Sequence, residues 1–127
     1  MIASALRLAR LAVAASCVVI IAQDAQARGA FDGSWNVAIS GNSGNCDGMS
    51  YQYGVQIINN VVRYYGGDAN ISGSVGSNGA VSVSLSNANG NANGSGRLSG
   101  SQGGGKFRGR TSSGFCAGTW SAARTGG

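Results

Sequence analysis

The sequence contains no histidine, no glutamate and no proline, a single lysine, and only four acidic residues, all of them aspartate. Histidine and glutamate are the commonest general bases, so paired glutamates for glycoside hydrolysis and every histidine-based nucleophilic relay are excluded. Asp32 in Phe-Asp-Gly, Asp47 between Cys46 and Gly48, and Asp68 after two glycines all sit in turn compositions. There the carboxylate ordinarily caps backbone N–H groups. The expectation is a protein that is not an enzyme, with no catalytic residue, no metal site and no cofactor.

Long hydrophobic runs are also missing. Residues 11–22 form the longest uncharged apolar stretch, about twelve residues against the roughly twenty of a membrane-spanning helix. Arg7 and Arg10 precede it, and Ala25-Gln26-Ala27 follows it with small residues at the two positions a signal peptidase reads. Residues 1–27 therefore read as a cleavable signal peptide with the cut after Ala27. Residues 28–127 then form a single disulfide-linked β domain, periplasmic or secreted, with no transmembrane segment after cleavage.

Cysteine is scarce but paired. Of three, Cys17 lies inside the apolar leader, which leaves Cys46 and Cys116 in the mature chain. An even count in an exported chain reads as a disulfide. A metal site would need more soft ligands nearby, and a redox site would need the two close in sequence.

What is abundant is glycine, with all 23 in the mature chain, interleaved with a period-two apolar pattern. Trp35, Val37 and Ile39 share one face, as do Tyr51, Tyr53, Val55 and Ile57, then Val62 and Tyr64, then Ile71, Gly73 and Val75. The alternation continues through Val81, Val83 and Leu85, then Gly94, Gly96 and Leu98, then Phe107 and Gly109, and ends with Cys116, Gly118, Trp120 and Ala122. Such alternation is the signature of half-buried strands. Asn59-Asn60 and Asn78-Gly79 supply the positive φ that tight hairpins demand. About eight short strands with no helical segment predict an all-β fold, a small antiparallel up-and-down barrel, with a flattened β-sandwich as the alternative. A barrel sets the first strand beside the last and makes Trp35 and Trp120 neighbours. Most of the four tyrosines and two tryptophans fall inward and read as core. The tandem tetrapeptide over residues 87–94 reads as a flexible hairpin tip.

Mature-chain cations are Arg28, Arg63, Arg97, Lys106, Arg108, Arg110 and Arg124, seven against three aspartates, for a net charge of +4. Lys106, Arg108 and Arg110 alternate with Phe107 and Gly109, so at strand period they project from one face about 7 Å apart. With Arg97 on the preceding strand they form a candidate anion-binding row, suited to an anionic envelope component. The pattern makes no strong case for nucleic acid.

Phe31-Asp32-Gly33-Ser34-Trp35, Gly94-Ser95-Gly96-Arg97-Leu98-Ser99-Gly100 and the run from Cys116 through Gly118-Thr119-Trp120 to Arg124 resemble a group of short exported bacterial proteins of unknown function. That resemblance implies no activity. Gly33-x-Trp35 with Arg124 near the chain end is also similar to the signature of lipocalin-like small barrels, which implies that the arginine packs over the tryptophan. Gly33, Trp35, Trp120 and Arg124 are accordingly assigned structural roles. In size, export and single disulfide the chain is similar to small periplasmic inhibitors of bacterial metalloproteases, whose cysteines lie closer in sequence. The expected role is a non-enzymatic envelope or periplasmic protein that binds an anionic surface or polymer. The alternatives are an inhibitor of a secreted hydrolase and a carrier of a small apolar ligand.

Overall fold

A computed structural model describes residues 29–127; the signal peptide expected over residues 1–27 lies outside them. The described chain is all β, with eight strands: β1 (Gly33–Gly44), β2 (Ser50–Ile58), β3 (Val61–Arg63), β4 (Asn70–Val75), β5 (Ala80–Asn87), β6 (Gly90–Ser99), β7 (Gln102–Thr111) and β8 (Gly114–Gly126). Each strand pairs antiparallel with the next, and β1 pairs with β8, which closes the sheet into a barrel and excludes the sandwich. Closure satisfies backbone groups that an open sheet would leave unpaired at its two edges.

Period-two alternation decides what fills the barrel. Trp35, Val55, Ile57, Val62, Val75, Val81, Leu98 and Ala122 form the buried cluster, with Phe31, Val37, Tyr53, Tyr64, Ile71, Val83 and Trp120 packed against it. Glycines on β6 and β7 make room for the largest of these side chains. A Cβ on Gly96 would stand 2.7 Å from Trp120 Cζ2 and would also strike the Gly104 carbonyl. Lacking one, β6 lets the indole approach Gly94 and Gly96 closely and donate from Nε1 to the Ser95 carbonyl at 3.1 Å.

The tight turns follow from the asparagines. Asn59 and Asn60 adopt φ of 52° and 67°, and Gly79 adopts 90°. The carboxylate of Asp32 accepts the Asn59 and Asn60 N–H groups at 2.8 and 3.1 Å, tying the entering chain to the β2–β3 turn.

Three sequence expectations are corrected. The tandem repeat is not a flexible tip, because only residues 88 and 89 lie between β5 and β6, and the second copy runs inside β6, paired on both sides. Tyr51, expected on the inward face, is not core, being 47% exposed, because it lies at the start of β2 at the barrel mouth. Trp35 and Trp120 lie on adjacent strands but are not opposite each other. Trp35 faces Arg124 and Trp120 faces Ile39, a stagger of four positions, about 13 Å along a strand.

Candidate functional site

The two ends of the barrel differ. At one end the chain enters through Phe31, and Trp35 Nε1 donates to the Phe31 carbonyl at 2.8 Å. The Arg124 guanidinium lies 5.1 Å from the Trp35 ring centroid. Its Nη atoms donate to the carbonyls of Asp32, Ala30 and Gly100 at 3.2, 3.0 and 3.2 Å. One side chain thus fastens the entry segment, the first strand and the β6–β7 turn, and this end is shut. Gly33, which opens β1 at φ 138°, fits against the Gly126 carbonyl because it lacks a Cβ.

The other end is the mouth. Cys46 in the β1–β2 loop is disulfide-bonded to Cys116 on β8, with Cα atoms 5.3 Å apart, within the ordinary span of such bridges. The loop is held further by the Asn45 N–H donating to the Phe115 carbonyl at 2.8 Å. A disulfide fits an oxidising compartment such as the periplasm or the extracellular space. Among the described residues, no helix is long and apolar enough to cross a membrane.

Two recesses follow the barrel axis. The lumen holds a cavity of about 110 Å³ whose walls are apolar, from Trp35 and Leu98 at the shut end to Phe107 and Trp120 nearer the mouth. Above it, at the mouth, lies a vestibule of about 320 Å³. Ile39, Tyr53, Leu85, Ala92 and Phe107 line both, forming the ceiling of one and the floor of the other. The vestibule wall is polar and neutral, with Asn45, Asn89, Asn91, Thr111, Ser112 and Ser113; Tyr51 and Met49 complete it, and Arg110 is its cation. Among the described residues no aspartate lines it. Tyr64 edges onto Tyr53, ring centroids 5.4 Å apart, and donates its hydroxyl to Asp68. That bond, then burial, pushes the Tyr64 phenol up to about 12. Burial, with the Asp68 charge, raises Tyr53 as well.

The cationic row lies on the outside of β7. Phe107 and Gly109 turn inward, so Lys106, Arg108 and Arg110 are exposed. Lys106 stands between Ser95 and Thr119, Arg108 between Asn93 and Ala117, and Arg110 between Asn91 and Phe115. No acid lies on β6, β7 or β8. Arg97 pairs with Gly104, diagonal to Lys106, and its Nη1 donates to the Asn78 carbonyl at 3.3 Å, which anchors it to the β4–β5 turn. Lys106, Arg108 and Arg110 make no side-chain hydrogen bond or ion pair among the described residues, so their charge is available. The structure brings the four cations onto one wall and sets Gly33, Trp35 and Arg124 together at the shut end, with Trp120 deeper in the lumen.

The three aspartates are scattered. Asp32 caps the β2–β3 turn, Asp47 sits in the β1–β2 loop, and Asp68 holds Tyr64. Among the described residues, no three His, Cys, Asp or Glu side chains gather as a metal site would require. Sequence reasoning missed the vestibule, because its residues come from six strands and three loops and share no motif. The one usable signal was Tyr51, an apolar-face residue at the start of a strand, where the inward face runs out of barrel.

Neither a protein-family model, nor a curated protein, nor a solved structure matches the chain.

Proposed function

We propose that this is a non-enzymatic exported protein that binds an anionic polymer or surface of the cell envelope through the outer wall of β6–β8. The observation that carries the reading is the exposed, unpartnered row of Lys106, Arg108 and Arg110 on an acid-free wall. Cations about 7 Å apart along an extended strand match the regular charge spacing of a polyanion. Their neighbours Asn91, Asn93, Ser95 and Thr119 are small and neutral, so an extended chain lying on the wall meets hydrogen-bonding groups and no repulsion. A carrier of a small apolar ligand is the weaker reading, since about 110 Å³ of lumen falls short of the roughly 300 Å³ at which small-molecule pockets begin.

Replacing Lys106, Arg108 and Arg110 together by Ser is expected to leave the fold intact, because each exposed position contributes within about half a kcal/mol. Retention on an anionic matrix should weaken, and the slope of log affinity against log salt should become shallower by about 2 to 3 if all three cations release counterions on binding. Identical salt series for the variant and the parent would refute the reading.

Export carries its own check. Intact mass of periplasmic material should correspond to residues 28–127, and a mass that retains residues 1–27 would exclude cleavage after Ala27.

A further inference from the structure

The row on β7 runs to the barrel rim. Its last member, Arg110, stands one residue before the end of β7 and is among the residues that border the vestibule, so a polyanion following Lys106, Arg108 and Arg110 arrives at the barrel mouth. We propose, resting on the anionic-polymer reading above, that the vestibule seats the terminal ring of an acidic polysaccharide, a uronic acid or similar sugar acid, while the preceding units lie along β7.

The chemistry of the walls selects this class. The recess of about 320 Å³ sits at the lower bound of roughly 300 to 1,000 Å³ for small-molecule sites, which suits one ring and not several. Its floor is apolar and aromatic, with Phe107, Leu85 and Tyr53, and the 47% exposed Tyr51 stands in the wall above it. A pyranose presents a face of C–H groups to such a floor and hydroxyls at its rim. The rim here is neutral and hydrogen-bonding: the side chain of Asn89 makes no hydrogen bond among the described residues, and Ser112 and Ser113 stand beside it. A neutral rim meets hydroxyls without the desolvation cost of a second charge, and Arg110 supplies the one cation that a carboxylate requires. An anionic lipid fits less well, because the lumen beneath the floor, about 110 Å³, is too small to take an acyl chain.

The test uses residues 28–127 with the disulfide intact and three probes: a linear uronate hexasaccharide, polyphosphate of equal charge, and phosphatidylglycerol vesicles. The expected result is tighter binding of the uronate than of either other probe. Tyr51→Ala should weaken the uronate about five- to tenfold, the loss of one aromatic contact, and leave polyphosphate unchanged. Asn89→Ala, at an exposed turn whose backbone bond to Asn87 does not use the Asn89 side chain, should act the same way and serves if Tyr51→Ala melts early. Free glucuronate should shift the amide resonances of Asn89, Ser112 and Ser113, and not those of the β2–β3 turn.

Equal affinity for uronate and polyphosphate, with neither variant altering it, would overturn the vestibule while leaving the wall as an anion binder. Preference for vesicles would overturn it in favour of a lipid surface. Binding of none of the three by the parent protein would overturn the anionic-polymer reading and the vestibule with it.

Discussion

Removing the Cys46–Cys116 disulfide, by reduction or by replacing both residues with Ser, is expected to lower the unfolding free energy by about 4 kcal/mol on the chain-entropy account. The bridge spans 70 residues, so in its absence the unfolded ensemble regains the freedom of a loop covering most of the domain. For a domain of this size each kcal/mol moves Tm by about 4–8 °C, which places the reduced protein about 15–30 °C below the oxidised one. The local consequence lies at the mouth. Cys46 holds the β1–β2 loop against β8, and that loop contributes Asn45 and Met49 to the vestibule. Backbone bonds such as that from Gly41 N–H to the Met49 carbonyl at 2.8 Å remain, so the loop should loosen before the barrel opens. Melting of the oxidised and reduced forms within a few degrees of one another would show that the bridge contributes little.

Trp35→Ala is the second large effect. At 2% exposure Trp35 is the most deeply buried large side chain described, and truncating a buried tryptophan costs about 3–5 kcal/mol. Two further contacts go with it, the hydrogen bond to the Phe31 carbonyl and the ring under Arg124. The guanidinium already carries a buried Nε without a partner, and without the indole beneath it the whole group loses its support. Trp35→Phe separates the contributions. It keeps an aromatic face for Arg124 while losing the N–H donor, so it should cost less than the alanine variant although it leaves the Phe31 carbonyl without that donor. Urea unfolding of the three proteins is the measurement. A cost below about 1 kcal/mol for the alanine variant would mean that the shut end is not a pillar of stability.

Much of the barrel was legible in one dimension. From Trp35 to Ile39, from Val81 to Leu85 and from Gly118 to Ala122, inward and outward positions follow the alternation, because a pleated strand leaves no other choice. Asn59-Asn60 and Asn78-Gly79 marked their turns, since few residues tolerate the backbone these turns adopt. The pairing of Cys46 with Cys116 followed from there being no other cysteine after the expected cleavage site.

Reading by composition fared worse than reading by period. Residues 87–94 look like a loop because they are asparagine, alanine and glycine, yet a tetrapeptide of Asn-Ala-Asn-Gly is also a strand of period two. Ala92 and Gly94 turn inward while Asn91 and Asn93 turn outward, and Asn93 accepts a hydrogen bond from Ser84 Oγ at 3.0 Å. Tyr51 failed in the opposite direction. It lies on the inward face of β2, but at the mouth the inward face borders the vestibule, and no local pattern reports how far the barrel extends past a residue.

By itself the sequence determined which side of each strand faces in, where the tight turns fall, which cysteines pair, and that Lys106, Arg108 and Arg110 share an outer face. These are local matters, fixed by alternation, backbone preference and count. Whether the two ends of the sheet meet was left open, because the same alternation serves a sandwich and a barrel. The tertiary structure decided it through the pairing of β1 with β8, and with closure came the features no segment encodes: one end shut by Arg124 over Trp35, the other left open over an aromatic floor. Both depend on stagger, the relative slide of strands distant in sequence, which is set only when all eight must join at once.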